Sequence, residues 1–88
     1  MYLNEVTDVS IESIKAINEV AKKIPVRETF EGNEEMWDSL HEFLDSGNLE
    51  DAQVMLQVMA AEYPEYEDEL YDRYYELDAI IDEIKYGD

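Results

Sequence analysis

The stretch Pro64-Glu65-Tyr66-Glu67-Asp68-Glu69-Leu70-Tyr71-Asp72-Arg73-Tyr74-Tyr75-Glu76-Leu77-Asp78-Ala79-Ile80-Ile81-Asp82-Glu83-Ile84-Lys85 decides the fold. Tyr66, Leu70, Tyr74, Leu77, Ile81 and Ile84 recur at spacings of three and four, which draws one apolar stripe along a helix. Pro64 can open that helix at its first position, where a missing N–H costs nothing. The other faces carry Glu65, Glu67, Asp68, Glu69, Asp72, Glu76, Asp78, Asp82 and Glu83 against only Arg73 and Lys85. Like charges three and four residues apart destabilise a helix. A chain shaped by folding alone would intersperse lysines here, so the carboxylates imply a role outside the fold.

Three further helices precede this one. Ile11, Ile14, Ile17, Ala21 and Ile24, helped by Val20, mark a helix near 9–24, with Thr7 or Asp8 as its N-cap and residues 1–6 extended or frayed. Its outer face alternates Glu12, Lys15, Glu19, Lys22 and Lys23, signs that support a helix. Pro25 ends it by pushing Ile24 out of the α region. Residues 25–33 read as a connector anchored by Val26 and Phe30, and Gly32-Asn33 as a turn. Asn33 caps a helix near 34–45 with a buried face of Met36, Trp37, Leu40, Phe43 and Leu44. Gly47 suits the left-handed residue after it. Asn48 caps a helix near 49–62 that is apolar around much of its circumference (Leu49, Ala52, Val54, Met55, Leu56, Val58, Met59, Ala60, Ala61), as expected of a central helix. The last helix spans about 65–85, and the tail Tyr86-Gly87-Asp88 should fray. Short loops make consecutive helices antiparallel neighbours. The expected fold is all-α, a small four-helix bundle forming one domain over residues 1–88.

Composition narrows function. The formal net charge is −18, and it is segregated. Residues 1–27 hold four acids and four bases and sum to zero, whereas residues 28–88 hold twenty acids and two bases and sum to −18. Self-repulsion on that scale opposes compaction. Direct binding to nucleic acid or anionic membrane is excluded, and a basic partner is the natural target. The absence of cysteine removes disulfides and thiolate metal sites and suits a reducing interior. No signal peptide or membrane-length apolar run is visible, so a cytoplasmic location is expected, that of a host cell if the chain is phage-encoded.

Catalytic chemistry finds no foothold. His41 is the one histidine; Asp38-x-x-His41 has helical spacing, but a di-metal bundle site needs two such pairs and further glutamates. Asp45-Ser46-Gly47-Asn48-Leu49-Glu50-Asp51 lacks the oxygen ligands of a calcium loop. Phosphate loops, nucleotide fingerprints and nucleophile elbows are missing. No enzyme, metal or cofactor is expected.

Residues 36–64 resemble a single tetratricopeptide-type helical hairpin. Trp37, Leu40, Leu44, Gly47, Asn48, Leu49, Ala52, Leu56, Met59 and Pro64 fall near that repeat's signature positions, with one residue deleted at the turn and His41 where the repeat prefers glycine. The resemblance implies helix-pair geometry and carries no peptide groove, because one copy makes no solenoid.

The acids suggest a mimic. A helix of about 21 residues is roughly 32 Å long, over which duplex DNA carries about 19 charges. Glu65, Asp68 or Glu69, Asp72 and Glu76 rise about one turn, roughly 5.4 Å, per step, close to the phosphate spacing of one strand. Tyr71 and Tyr75 flank the apolar stripe level with Asp78 and Asp82, and partly exposed tyrosine among charges is typical of binding hot spots. In size, charge, helicity, tyrosine content and lack of cysteine the chain resembles the small acidic DNA-mimic inhibitors of phages and mobile elements, of anti-restriction and anti-CRISPR type. That resemblance implies occlusion of a basic nucleic-acid-binding site. Glu65, Asp68, Glu69, Asp72, Glu76, Asp78, Asp82, Tyr71 and Tyr75 are the expected contact residues, with acids of the last three helices converging on one surface. The alternative is a helical adaptor or regulatory subunit whose apolar groove is anchored by Trp37, Phe30, Met55 and Met59. A third reading takes the acids as a solvated face that serves solubility, on a homodimer joined through the last helix.

Overall fold

Period-3.6 patterning dominates this sequence, and four α-helices make up most of the computed structural model, which describes residues 2–86 and, from Ile11 onward, their side chains. They are α1 (Tyr2–Lys23), α2 (Glu34–Ser46), α3 (Leu49–Glu62) and α4 (Glu67–Tyr86), with 3-10 turns at Arg27–Phe30 and Pro64–Tyr66. Among the described residues there is no strand. The fold is an all-α four-helix bundle. α4 packs between α1 and α3, α2 packs on α3 and lightly on α1, and α2 and α4 lie across the diagonal out of contact.

Several boundaries differ from expectation, each for a local reason. α1 begins at Tyr2, so Thr7 and Asp8 lie inside it and not at its start. The last helix begins with one 3-10 turn, in which the Tyr66 N–H donates to the Tyr63 carbonyl at 2.9 Å, and becomes α-helical only at Glu67. α4 continues through Tyr86; Gly87 and Asp88 lie outside the described residues. Asn33 and Asn48 precede their helices without side-chain capping bonds. The Asn33 amide donates instead to the Tyr63 hydroxyl at 2.9 Å, tying the start of α2 to the end of α3.

α2 stops as its glycine predicts. Gly47 takes φ +81, its N–H donates to the Leu44 carbonyl at 3.3 Å, and the Asn48 N–H reaches the Phe43 carbonyl at 2.8 Å. This pair of bonds satisfies the last carbonyls of the helix. A Cβ at Gly47 would meet no atom within 4 Å, so its cost is purely that of the left-handed backbone. Gly47→Ala should therefore lower stability by about 1 kcal/mol, some 4–8 °C in Tm, with binding unchanged; thermal melts followed by circular dichroism check this.

The core is built from Ile17 and Val20 of α1, Ile24 just after it, Phe30 of the first 3-10 turn, Leu40 and Leu44 of α2, six residues from Leu49 to Ala60 with Gln53 among them, and Leu70 and Leu77 of α4. Gln53, the one buried polar residue among those described, donates to the Tyr74 carbonyl at 3.1 Å and so remains hydrogen-bonded. Not every stripe residue is inside. Ile11, Ile14, Ile84 and Val26 are exposed, and Ile80 packs on the core in place of Ile84. α3 has neighbours on two sides only, which leaves Val54 and Val58 in solvent and corrects its expected encirclement.

Helix lengths explain α1. Lys23 meets Glu76 at 3.4 Å, and the two helices run antiparallel from there. Beyond Glu76, α4 continues for about 15 Å, whereas α1 runs back for about 32 Å at 1.5 Å per residue. The molecule is accordingly elongated, measuring 47 × 19 × 17 Å. Ile11, about 18 Å from Lys23 along α1, lies beyond the reach of α4, and Ile14 stands at the level where α4 ends; both are exposed.

Candidate acidic interface

On α4 the residues opposite Leu70 and Leu77 are Asp68, Asp72, Tyr75, Ala79, Asp82 and Tyr86, spaced alternately by four and three. All are exposed, Tyr75 by 64% and Tyr86 by 77%. From Asp68 to Asp82 this ridge extends about 21 Å. Asp68, Asp72 and Asp82 make no ion pair among the described residues; the pairs present take Glu19, Asp38, Glu50 and Glu76. Tyr71, half-buried, stands beside the ridge with its ring 6.4 Å from Tyr75 and 5.9 Å from Tyr74, while Tyr74 and Tyr75 meet edge to face at 5.3 Å. The aromatic cluster leaves Tyr75 standing out between carboxylates, a rigid amphipathic group costing little entropy to dock.

The structure separates the expected contact residues. Asp68, Asp72, Tyr75 and Asp82 share the ridge. Asp78 lies on the flank toward α3, exposed, with one oxygen 3.5 Å from the Gln53 amide. Glu65 is exposed but sits in the 3-10 turn before the helix. Glu69 falls on the opposite flank, in register with Arg73 and Glu76. Glu76 leaves the set: Arg73 Nη2 donates to its Oε2 at 3.1 Å and Nε lies 3.1 Å from Oε1 without a well-directed hydrogen bond, while Lys23 approaches at 3.4 Å. A carboxylate held by two cations, one of them on another helix, is a structural tie. The sequence ladder ending at Glu76 is thus corrected to one that runs through Tyr75 to Asp82. Tyr86, read as frayed tail, closes the ridge; its spacing of four from Asp82 is the signal that locates it.

A second acidic stripe escaped the sequence reading. Glu35, Asp38, Glu42 and Asp45, spaced three, four and three, are exposed along the outside of α2. Arg27 grips Asp38 with a two-pronged contact, Nε to Oδ1 at 2.9 Å and Nη2 to Oδ2 at 3.1 Å, and holds that carboxyl below the usual range. Because α2 and α4 lie diagonally, their outer faces point apart. The acids of the last three helices therefore do not converge on one surface, and the elongated ridge belongs to α4 alone.

The residues expected to anchor an apolar groove are not available for one. Phe30 and Met59 are fully buried, Met55 is half-buried against the core, and Trp37 donates its indole N–H to the Pro25 carbonyl at 2.9 Å. Among the described residues no group of three histidine or carboxylate side chains is placed to hold a metal ion. No helix is long and apolar enough to cross a membrane.

His41 stacks on Trp37 with ring centroids 3.8 Å apart, and its Nε2 is buried without a hydrogen-bond partner. Burial pushes the imidazole pKa down, against a weaker upward pull from Asp45 and Asp38. A base whose pKa is lowered by folding binds protons more readily when unfolded, so stability falls as pH drops through its ordinary pKa. Between about pH 7.5 and 5.5 the wild-type Tm should fall relative to that of His41→Gln, and paired melts across this window measure the difference.

Comparison of the chain with protein-family models, characterised proteins and solved structures finds no match. Fold and surface together define a small all-α protein with one uncompensated acidic-aromatic ridge.

Proposed function

We propose that this chain is a non-enzymatic DNA-mimic inhibitor that occupies the basic nucleic-acid-binding site of a host defence or DNA-processing protein. The observation that carries this reading is the α4 ridge, where Asp68, Asp72 and Asp82 lie in line over about 21 Å with Tyr75 between them and, among the described residues, no cation paired to any. Five of the six cations in the chain are engaged elsewhere, four of them tying segments together or bracing Glu76. A cleft built to neutralise phosphates would gain Coulomb energy along such a ridge, with fast association that weakens in salt. Tyr75 would add a stacking surface where a base or sugar otherwise sits.

The test is capture from a cell lysate on the immobilised protein at low and physiological salt, followed by elution with duplex DNA. The proposal expects a nucleic-acid-binding protein that is released both by salt and by DNA and inhibited stoichiometrically. A captured partner indifferent to both would overturn it. A second reading, an adaptor, takes its support from the exposed Val54 and Val58 on α3; it expects capture that survives salt and is lost on Val54→Ser with Val58→Ser.

A further inference from the structure

A different surface, on α1, points to self-association. Ile11 is 47% exposed and Ile14 is 54% exposed, one turn apart on the outer face of the helix. Lys15, Asn18 and Lys22, all exposed, lie in register with them, and Glu12 and Glu19 flank the face, Glu19 paired with Lys22 at 3.7 Å, so its charges balance. Two half-exposed isoleucines one turn apart, where α1 passes the end of α4, leave an apolar face open to a second element.

Charge selects the occupant. A second copy brings another −18 with it, all of it on residues 28–88, where twenty acids against two bases set like charges against each other. The first 27 residues, with four acids and four bases, sum to zero, so a contact through α1 keeps the two charged regions apart. A basic partner has the opposite preference and is drawn to the α4 ridge, not to the one neutral helix. We infer that α1 is the dimerisation element, two copies packing antiparallel about a two-fold axis that passes between Ile11 and Ile14, so that Ile11 of each protomer meets Ile14 of the other. Such an isologous contact closes on itself. α1 sits on the flank of α4 that carries Glu76, so both ridges stay open to solvent and the dimer displays two of them.

Sedimentation equilibrium of the full chain at high micromolar concentration in moderate salt tests this. The expected mass is twice 10.3 kDa, and the combined Ile11→Glu and Ile14→Glu variant should return to 10.3 kDa with its helical circular dichroism intact. A wild-type monomer under these conditions overturns the inference, as does a dimer that survives the double substitution. Should that variant lose its fold, oxidation of single-cysteine chains decides, because the protein has no native thiol. An equimolar mixture of Ile11→Cys and Ile14→Cys chains should give the covalent heterodimer of the two, and Val54→Cys should remain monomeric; failure of the mixture to crosslink, or equal crosslinking of Val54→Cys, overturns it. None of these outcomes depends on what the acidic ridge binds.

Discussion

Phe30→Ala should cost about 3–5 kcal/mol, a large share of the stability of the molecule. Phe30 is fully buried although it comes from a four-residue 3-10 turn rather than a helix. Its ring meets Tyr63 edge to face at 4.9 Å and tilts against Tyr66 at 6.5 Å, so one side chain wedges the α1–α2 connection against the α3–α4 connection. Removing it opens a cavity where backbone turns, not long helices, must relax to fill it. A domain of this length has about 4–13 kcal/mol in total. The variant should therefore melt at least about 15 °C lower, or fail to give a cooperative transition. Phe30→Leu, which keeps most of the volume, should cost less than about 1.5 kcal/mol. Urea denaturation of both variants measures these differences; an alanine variant within 1 kcal/mol of wild type, on the order of an ordinary surface change, would show that the turn closes without its wedge.

Reversing two ridge charges, Asp72→Lys with Asp82→Lys, should weaken capture of a DNA-binding partner by about tenfold per site at low salt, about a hundredfold together. The net charge changes from −18 to −14, two units for each of two reversals. Glu42→Lys with Asp45→Lys makes the same change on the outer face of α2, which points away from the ridge. If net charge alone drives binding, the two pairs weaken it equally; if the ridge is the contact, the α2 pair leaves affinity nearly unchanged. Folding does not confound the comparison. Position 72 lies three and four residues from Glu69, Asp68 and Glu76, so a lysine there relieves repulsion, and at position 82 the repulsion relieved with Asp78, four residues away, offsets that introduced with Lys85, three away. The ridge variant should unfold no earlier than wild type while binding worse, and titrations across salt concentrations should show a shallower slope for it.

Much of this architecture was legible because apolar periodicity, proline and glycine agreed. Leu70 and Leu77, Leu40 and Leu44, and Leu56 and Met59 are inside where their spacing put them, and Gly47 and Pro25 end helices as their backbones require. What could not be read was relative length. Ile11 obeys the same spacing as Ile17 and is exposed because α4 stops short of it, a property of the neighbour and not of α1 itself. Asn33 illustrates a related limit: it stands where a cap belongs, yet a tyrosine thirty residues away takes its amide. The ridge was half legible. Spacing located Asp68, Asp72 and Tyr75, but Glu76 looked equivalent to them until Lys23 and Arg73 were seen holding it, and such pairing depends on which helix lies alongside.

The position of α4 between α1 and α3 sets an order for biosynthesis. α2 and α3 meet each other as soon as both have been translated, whereas Ile17 and Val20 wait for a wall that is made last. Until Leu70 and Leu77 leave the ribosome, the apolar face of α1 has only its light contact with α2 to cover it. A message truncated ahead of Leu77 would yield a hairpin with an uncovered apolar flank, a substrate for proteolysis rather than a shorter version of the same protein.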